Sequence, residues 1–275
     1  MSDAFKPAYR VSNEVWRGDA RRQGARQVPE ETAIAFTYDR VTQAVMMASP
    51  ADLEDFALGF SLNEGIVAAP GEIEEIEIRP TDEGIELRMA LAEPRAGAFV
   101  ERRRYMAGPT GCGLCGIDSL KEATKTPPVV TADPRVTRAD IAAAVAALPA
   151  AQSLHRLTHA AHGAALWVRG EGLVALREDV GRHNALDKLA GALARAGRKA
   201  ETGIVVLTSR VSVELVQKAA MMGAPVLVAV SAPTALAIRT AAAAGITLIG
   251  IARDDGFEVF THAARVVAGE ARDVA

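Results

Sequence analysis

Cysteine is scarce in this sequence, which has only Cys112 and Cys115 among its 275 residues. Two cysteines are too few for the disulfide framework of a small secreted domain. The first residues, MSDAFKPAYR, lack the apolar core of a secretory signal peptide. We therefore expect a cytoplasmic protein whose thiols are reduced.

A strong excess of charge of one sign is also absent. The formal net charge is -3, so the chain as a whole has no attraction for nucleic acid or for anionic lipid, and neither is expected as a partner. Any anionic ligand must be bound by a local cluster of basic residues. A composition of 49% apolar and 24% charged residues indicates a globular protein with one large or two modest domains.

No hydrophobic run is long enough to predict a membrane span. The apolar stretch at 219–252 has Arg239 as its only charged residue, but Gly223 to Pro225, Ser231 to Thr234 and Gly245 divide it. The pieces have the lengths of a buried strand, a helix and a second strand. We predict a soluble α/β layer, because parallel strands that are covered on both faces read as continuous Val, Ile and Leu runs.

The pattern of the chain changes near residue 150. Before that point, residues 31–47 and 72–91 alternate in hydrophobicity, which predicts strands joined by tight turns, and a helix fits 52–65. After it, strands alternate with helices, which predicts a mixed, mainly parallel sheet with helices on both faces. The predicted fold class is α/β, with α+β elements at the N-terminus. We predict a smaller β-rich domain at 1–135 and an α/β cofactor-binding domain at 136–275.

Polar side chains follow the predicted strands of the second domain. Gly181 separates a strand end from a helix start, so the first N–H groups of that helix, with Arg182 and His183, can face an anion. The spacing of four residues also allows His183 to pair with Asp187. The ends of the next two strands add Ser209, Arg210, Ser231 and Thr234. Helix capping is the favoured interpretation of the two serines.

The two cysteines lie in TGCGLCG, and the surrounding glycines predict a mobile loop at 108–118 of the first domain. A structural zinc site needs four ligands, so the pair would require partners such as His159 and His162. A thioredoxin-like dithiol belongs at a strand-to-helix junction instead. A mobile thiol also suits a nucleophile that carries sulfur as a persulfide, and the arginines at 102–104 would favour its thiolate. The alternatives stay open here, and no metal site is predicted.

Five motifs occur in a recognisable order. They are GCGLCG, EDVGRHNALDK (178–188), TSRVSVELVQKAA (208–220), SAPTALAI (231–238) and IARDDGFEVFTH (251–262). With the early helix they make the chain resemble the formate dehydrogenase accessory sulfurtransferase family, FdhD, over residues 30–265. The chain departs from the family at 158–162, where THAAH replaces a Thr-Gly-Gly-x-His pattern.

The resemblance implies a sulfurtransferase that accepts sulfur from a cysteine desulfurase as a persulfide. It delivers this sulfur to its bound substrate, the molybdenum bis(molybdopterin guanine dinucleotide) cofactor, before the cofactor enters formate dehydrogenase. The resemblance also implies a homodimer and a cytidine-deaminase-like three-layer fold for the larger domain.

The resemblance assigns the catalytic pair to Cys112 and Cys115, with Cys112 as the persulfide carrier. It also implies that a GDP-like nucleotide binds at a segment after the last strand. The residues of this segment are Ile251, Ala252, Arg253, Asp254, Asp255 and Gly256.

A second class of function stays open beside sulfur transfer. A binding-only chaperone would hold the molybdenum cofactor while its cysteine pair stabilises a loop or binds zinc. The two classes differ in whether the function needs the thiol of Cys112.

Overall fold

The computed structural model of the protein describes residues 5–92 and 126–268. Within these ranges the chain forms a mixed α/β structure with four β-sheets. The strands are β1 (Ala8–Arg17), β2 (Ala20–Pro29), β3 (Thr32–Tyr38), β4 (Val41–Ala48), β5 (Ile73–Pro80), β6 (Ile85–Leu91), β7 (Val136–Thr137), β8 (His162–Val168), β9 (Gly172–Asp179), β10 (Ile204–Leu207), β11 (Val226–Ala229), β12 (Thr247–Arg253), β13 (Gly256–Val259) and β14 (Val266–Val267). The helices are α1 (Leu53–Asn63), α2 (Arg138–Ala146), α3 (Leu148–Ala151), α4 (Ser153–Thr158), α5 (Arg182–Arg195), α6 (Val213–Met221) and α7 (Ala235–Ala243).

The first unit is a four-stranded sheet in the order β4-β3-β6-β5, with α1 packed on one face. β3 and β6 are parallel, and the other neighbours are antiparallel. Alternate residues of β6 are buried, as the period of two predicts. Phe36 of β3 stacks on Phe60 of α1 with ring centroids 4.1 Å apart, and it meets Phe56 edge to face at 4.9 Å. This aromatic cluster holds α1 against the sheet.

The second unit is a six-stranded sheet in the order β13-β12-β11-β10-β8-β9. β10, β11 and β12 are parallel, whereas β8 is antiparallel to both β9 and β10. Leu207 and its neighbours on one face pack with α5, α6 and α7, while Val206 and its neighbours on the other face pack with α2 and α3. The predicted mixed sheet with helices on both faces is therefore present, but three of its five strand pairings are antiparallel, so the prediction of a mainly parallel sheet is wrong. The specific likeness to a cytidine deaminase stays a prediction.

The apolar stretch at 219–252 contains β11, α7 and β12, in the order predicted from the glycine, proline and serine residues that divide it. Val226–Ala229 is completely buried between the two helical layers. No helix in the described part of the chain is long and apolar enough to cross a membrane.

A long antiparallel hairpin, formed by β1 and β2, is absent from the sequence-based prediction. Its strands pair over ten residues each, from Ala8 with Pro29 to Arg17 with Ala20. Most of its side chains are exposed, so no buried face marks these strands in the sequence. One Nη of Arg26 donates to the carbonyl oxygen of Thr158 over 3.2 Å, which connects the hairpin to the end of α4.

The turn after α4 has a conformation that suits glycine. His159 has φ of 56° and ψ of 25°, in the left-handed region. A residue with a Cβ atom adopts this region at a cost. The backbone at 158–162 thus keeps a left-handed residue at the position where the resembling family carries its first glycine.

The two units are joined by a close crossing of α1 and α5. A Cβ atom on Gly59 would overlap the carbonyl oxygen of Asp187, and one on Gly191 would overlap the carbonyl oxygen of Asp55. Glycine at both positions allows the helix backbones to touch. The predicted division of the chain at residue 135 stays a prediction.

Candidate functional site

The strands β9, β10, β11 and β12 all end at the same edge of the six-stranded sheet. We call this region the strand-end edge, and define it by residues 179–183, 208–214, 230–234 and 251–256. β9 and β12 are separated by four strand spacings, which correspond to about 19 Å at about 4.8 Å each. The edge thus gathers all the predicted ligand-binding residues, which are Arg182, His183, Ser209, Arg210, Ser231, Thr234 and 251–256.

Buried polar contacts shape the turn that leads into α5. The N–H of Gly181 donates to Oδ1 of Asp179 over 2.7 Å, and Nδ2 of Asn184 donates to the same oxygen over 2.9 Å. No side chain in the described ranges caps the start of α5. The first N–H groups of this helix are therefore available to an anion at the strand-end edge.

His183 faces α6, and the predicted pair with Asp187 is wrong. Its Nε2 lies 3.4 Å from Oγ of Ser212 and 3.8 Å from Oε2 of Glu214. Asp187 points into the protein, where it accepts from Nδ2 of Asn63 over 2.7 Å and pairs with Lys218 over 3.0 Å. A spacing of four residues permits a contact along a helix, but here the buried cation outcompetes the imidazole for the carboxylate.

Ser212 and Glu214 are site residues that the sequence analysis missed. They directly follow Ser209 and Arg210 at the end of β10 and open α6. The rule that polar groups gather where strands end would have included them if it had been applied as far as the first turn of the helix.

Charged side chains at the starts of α5 and α6 shift the pKa values of their neighbours, and two of their buried polar atoms lack a hydrogen bond among the described residues. Contact with His183 is the main cause that lowers the pKa of Glu214 to about 2, against the opposite effect of burial. Burial lowers the pKa of His162, and the nearby charge of Arg182 lowers it further. Among the described residues, Nε of Arg182 and Oε2 of Glu214 are buried without a hydrogen-bond partner. Such atoms suit a site that a polar ligand completes.

The loops after β10 and β11 are hydrogen-bonded to each other. The N–H of Val211 donates to the carbonyl oxygen of Ala232 over 3.3 Å, and the N–H of Thr234 donates to that of Val211 over 2.9 Å. These bonds hold the second and third segments of the strand-end edge together.

The predicted caps at Ser209 and Ser231 are wrong. The residues that precede α6 and α7 are Ser212, whose side chain makes no cap bond, and Thr234, whose Oγ1 accepts from the N–H of Ala237 over 3.2 Å. Ser209 is buried and donates to the carbonyl oxygen of Arg210, whose own side chain is exposed. Thr234 is therefore a structural cap, and Arg210 is the residue of this group that is open to a ligand.

The segment 251–256 forms an irregular end of β12. The register with β13 shifts between Gly250 and Arg253, and Ile251 has φ of 52°. A positive φ is unusual for a β-branched residue, and it is held here by a bond of 3.2 Å from the N–H of Ile251 to the carbonyl oxygen of Ser231. The result is a turn that exposes Arg253, Asp254 and Asp255.

A shallow depression lies between this turn and α2. It is lined by Ala252, Arg253, Asp254, Gly256 and Phe257 on one side, and on the other by Arg138, Ile141, Ala142 and Val145. Asp254 lines the depression and Asp255 does not. The sequence analysis missed Phe257, which directly follows the predicted ligand-binding segment 251–256, and Arg138, which reaches the depression from α2.

The cysteine pair lies outside the described residues, as do the loop at 108–118 and the arginines at 102–104. Within the described ranges, no group of three or more His, Cys, Asp or Glu side chains is placed to hold a metal ion. Of the two histidines that a zinc site with the cysteines would need, His159 and His162, the first contacts His155 with ring centroids 5.7 Å apart. The roles of Cys112 and Cys115 stay predictions.

Comparison with known proteins identifies the family. Residues 29–267 match the model of the FdhD/NarQ family. A protein of Agrobacterium fabrum named sulfur carrier protein FdhD is 53% identical over 259 residues, which cover 94% of this chain and 96% of that protein. The protein of the same name from Brucella abortus is 57% identical over 247 residues, which cover 90% of this chain and 92% of that one.

A solved structure agrees with these matches. The crystal structure of a protein of Desulfotalea psychrophila, proposed as a formate dehydrogenase accessory protein, superimposes with a TM-score of 0.76 at 26% identity. The match covers 95% of this chain and the whole of that one. Sequence and fold lead to the same conclusion: the chain belongs to the FdhD/NarQ family.

Proposed function

We propose that this protein is a sulfur carrier for the maturation of formate dehydrogenase, and that the thiol of Cys112 holds the sulfur. The observation that carries the proposal is the thiol pair of GCGLCG in a chain that is 53% and 57% identical to proteins named sulfur carriers. The sulfur donor is a cysteine desulfurase, and the acceptor is the molybdenum bis(molybdopterin guanine dinucleotide) cofactor.

Loading requires a thiolate that attacks sulfur. The thiolate of Cys112 attacks the outer sulfur of the persulfide on the desulfurase, the S–S bond of that persulfide breaks, and the cysteine of the desulfurase leaves as a thiolate. Cys112 then carries the outer sulfur as S–SH. No net oxidation occurs in this exchange, so loading needs no further reactant.

Unloading as sulfide requires two electrons, which the second cysteine supplies. The thiolate of Cys115 attacks the inner sulfur of the persulfide, hydrosulfide leaves, and a disulfide between Cys112 and Cys115 forms. A cellular dithiol must reduce this disulfide before the next cycle. Two cysteines separated by two residues are sufficient for this chemistry, because such pairs form disulfides readily.

The strand-end edge has the chemistry to bind the cofactor substrate. Its diphosphates need donors and positive charge, which the open start of α5 and the guanidinium of Arg182 offer. Its guanines need an acceptor and an apolar surface, which Asp254 and Phe257 offer at the opposite end of the edge. The length of about 19 Å that separates these ends suits an extended dinucleotide rather than a single phosphate.

The experiment that tests the proposal is persulfide loading. The purified protein is incubated with a cysteine desulfurase and cysteine, and peptides are analysed by mass spectrometry without reductant. We expect a gain of one sulfur atom on the peptide that contains residue 112, and its removal by a thiol reductant. Cys112→Ala abolishes the adduct, whereas Cys115→Ala retains it but cannot release sulfide.

Two results would contradict sulfur transfer. The first is full formate dehydrogenase maturation by Cys112→Ala in cells. The second is one tightly bound zinc ion per chain that both cysteines hold, which would support the binding-only chaperone. Size-exclusion chromatography with light scattering tests the proposed homodimer independently.

A further inference from the structure

The β1–β2 hairpin is held to the rest of the structure mainly at one end. Within the described ranges, the bond from Arg26 to the carbonyl oxygen of Thr158 is the one hydrogen bond or ion pair that joins the two strands to other elements. Strands of ten residues are about 34 Å long. A two-stranded hairpin is marginally stable in water unless another surface covers it. We therefore expect a partner surface for the part of the hairpin beyond Arg26.

One face of the hairpin satisfies its own charged groups. Side chains alternate along a strand, so the register places Glu14, Trp16 and Arg21 on the same face. Nε1 of Trp16 donates to Oε1 of Glu14 over 2.9 Å, and Arg21 pairs with the same carboxylate over 2.5 Å. This part of the hairpin has little need of a charged partner.

The opposite face is basic and partly apolar. We call it the basic face, and its residues between the tip and the middle of the hairpin are Val11, Asn13, Val15, Arg17 and Arg22. Both arginines are exposed, and neither has an ion pair among the described residues. Val11 is 39% exposed, and Oδ1 of Asn13 is buried without a hydrogen-bond partner in the same part of the chain. These features suit a face that an acidic protein surface covers.

An acidic surface of this kind lies on the first unit of the same chain. β5 is an edge strand of the four-stranded sheet, and we call residues 73–83, which are β5 and the turn after it, the acidic edge. Its charged residues are Glu74, Glu75, Glu77, Arg79, Asp82 and Glu83. Arg79 lies 3.5 Å from Glu77, whereas the other four carboxylates are exposed and have no ion pair within the described ranges.

The acidic edge also carries an exposed apolar side chain, because Ile78 is 37% exposed. Carboxylates along an edge strand oppose its pairing with arbitrary chains. They attract a basic surface instead, and Ile78 can contact the valines of the basic face. The two surfaces are therefore complementary both in charge and in their apolar contacts.

We propose that the basic face of one protomer binds the acidic edge of a second copy of this chain, and that the second copy makes the same contact in return. Two contacts related by a twofold axis form a closed dimer. The inference rests on the homodimer of the proposed function. Its new content is the pair of surfaces that meet, neither of which belongs to the strand-end edge.

The twofold arrangement also explains how exposed charges can hold a dimer. One exposed ion pair contributes little to stability. Every copy carries both surfaces, so each dimer makes the contact twice, and the second contact forms within a complex that the first has already assembled. Because the attraction is between exposed charges, salt should weaken it.

The experiment reverses the charges of each surface in the full-length protein. The hairpin variant is Arg17→Glu with Arg22→Glu, and the edge variant is Glu74→Lys with Glu75→Lys. Lys199→Glu with Arg239→Glu is the control, because it also reverses two exposed cations but lies outside both surfaces. Sedimentation equilibrium over a range of concentrations measures the dimer dissociation constant, and circular dichroism verifies that each variant is folded.

We expect the dissociation constant of the hairpin variant and of the edge variant to rise at least about 100-fold, because attraction becomes repulsion at both contacts. The control should resemble the wild type. The wild-type dimer itself should dissociate more readily as sodium chloride is raised from about 0.05 M to about 0.5 M.

A mixture of the two reversed variants is the decisive sample. In a heterodimer of the hairpin variant and the edge variant, both contacts again join opposite charges, so dimers should re-form with an affinity near that of the wild type. A variant that merely unfolds the hairpin would not recover in this mixture, so recovery identifies the contact itself.

The outcomes separate the inference from the proposed function. A wild type that is monomeric at every concentration overturns the proposed homodimer, and the inference with it. A wild-type dimer that both reversed variants retain, or two weakened variants that do not dimerise with each other, overturns only the inference. Persulfide loading at Cys112 tests sulfur transfer independently of either result.

Discussion

The ammonium of Lys188 lies 2.6 Å from Oδ2 of Asp179, and neither side chain has any exposed surface. The same ammonium donates to the carbonyl oxygen of Ser49 over 2.8 Å, and the N–H of Ser49 donates to Asp179 over 3.0 Å. Ser49 follows β4 of the first unit, whereas Asp179 ends β9 and is the first residue of the strand-end edge. This buried triangle therefore fixes the first unit to the turn that opens α5.

Removal of the cation from this triangle should destabilise the protein strongly. Lys188→Met leaves Asp179 as a buried carboxylate without its partner, which costs about 3–5 kcal/mol of unfolding free energy. Urea denaturation followed by circular dichroism measures this loss. The matched control is Lys199→Met, whose side chain is 75% exposed and whose effect should stay within about 0.5 kcal/mol. A loss below about 1 kcal/mol for Lys188→Met would contradict the buried pair.

The crossing of α1 and α5 predicts a severe effect of a single methyl group. In Gly191→Ala, the new Cβ atom would overlap the carbonyl oxygen of Asp55, and backbone cannot move aside as a flexible side chain can. We expect a loss of at least about 2 kcal/mol in unfolding free energy, or failure to fold. Gly71→Ala is the control, because the space around that residue is open. Equal melting temperatures for the two variants would contradict the close crossing.

The sequence predicted the elements whose hydrophobic pattern is local. β6 alternates along its own length, and the turn after β3 is marked by its own residues. The capping box of α2 is a local feature of the same kind, because Thr137 and Asp140 are three residues apart and each side chain accepts from the backbone N–H of the other residue. The strand-end edge could also be predicted, because the alternation of strands and helices places the ends of parallel strands together.

The remaining features depend on contacts that are distant in the sequence. Asn63 and Asp187 are 124 residues apart, and their hydrogen bond, together with the ion pair of Asp187 with Lys218, keeps Asp187 away from His183. The β1–β2 hairpin has no buried face of its own, so burial left no pattern in its sequence. Arg138 reaches the depression from α2, on the face of the sheet opposite to α5. A motif at residues 251–256 gives no signal for such a neighbour.

The pair of Asp140 and Arg169 predicts how stability changes in acid. The hydrogen bond from Arg169 is the main cause that lowers the pKa of Asp140 from 3.8 to about 2. A carboxylate with a lowered pKa stabilises the fold above its unfolded value and loses this contribution as pH falls. The contribution is therefore present above about pH 4 and disappears toward about pH 2.

Arg169→Met tests this pH dependence. The guanidinium is 59% exposed, so its loss should cost only about 1 kcal/mol at neutral pH. The difference in unfolding free energy between wild type and variant should shrink as pH falls from about 4 toward about 2, as linkage requires. Urea titrations at a series of pH values measure the difference. A difference that stays constant with pH would mean that packing, and not the charge pair, is responsible.

The depression between α2 and residues 251–256 predicts which aspartate recognises guanine in the proposed site. A carboxylate accepts from the N1–H and the N2 amine of guanine, whereas an amide offers one acceptor and one donor and so matches xanthine, which has an oxygen at C2. Because Asp254 lines the depression and Asp255 does not, Asp254→Asn should lose at least about tenfold in affinity for GDP, the usual cost of a charge-assisted hydrogen bond, and should gain affinity for xanthosine diphosphate. Competition binding with both nucleotides measures the change in preference. Asp255→Asn carries the same chemical change one residue away and should keep the preference for GDP, so a switch in that variant would place the base on the other side of the turn.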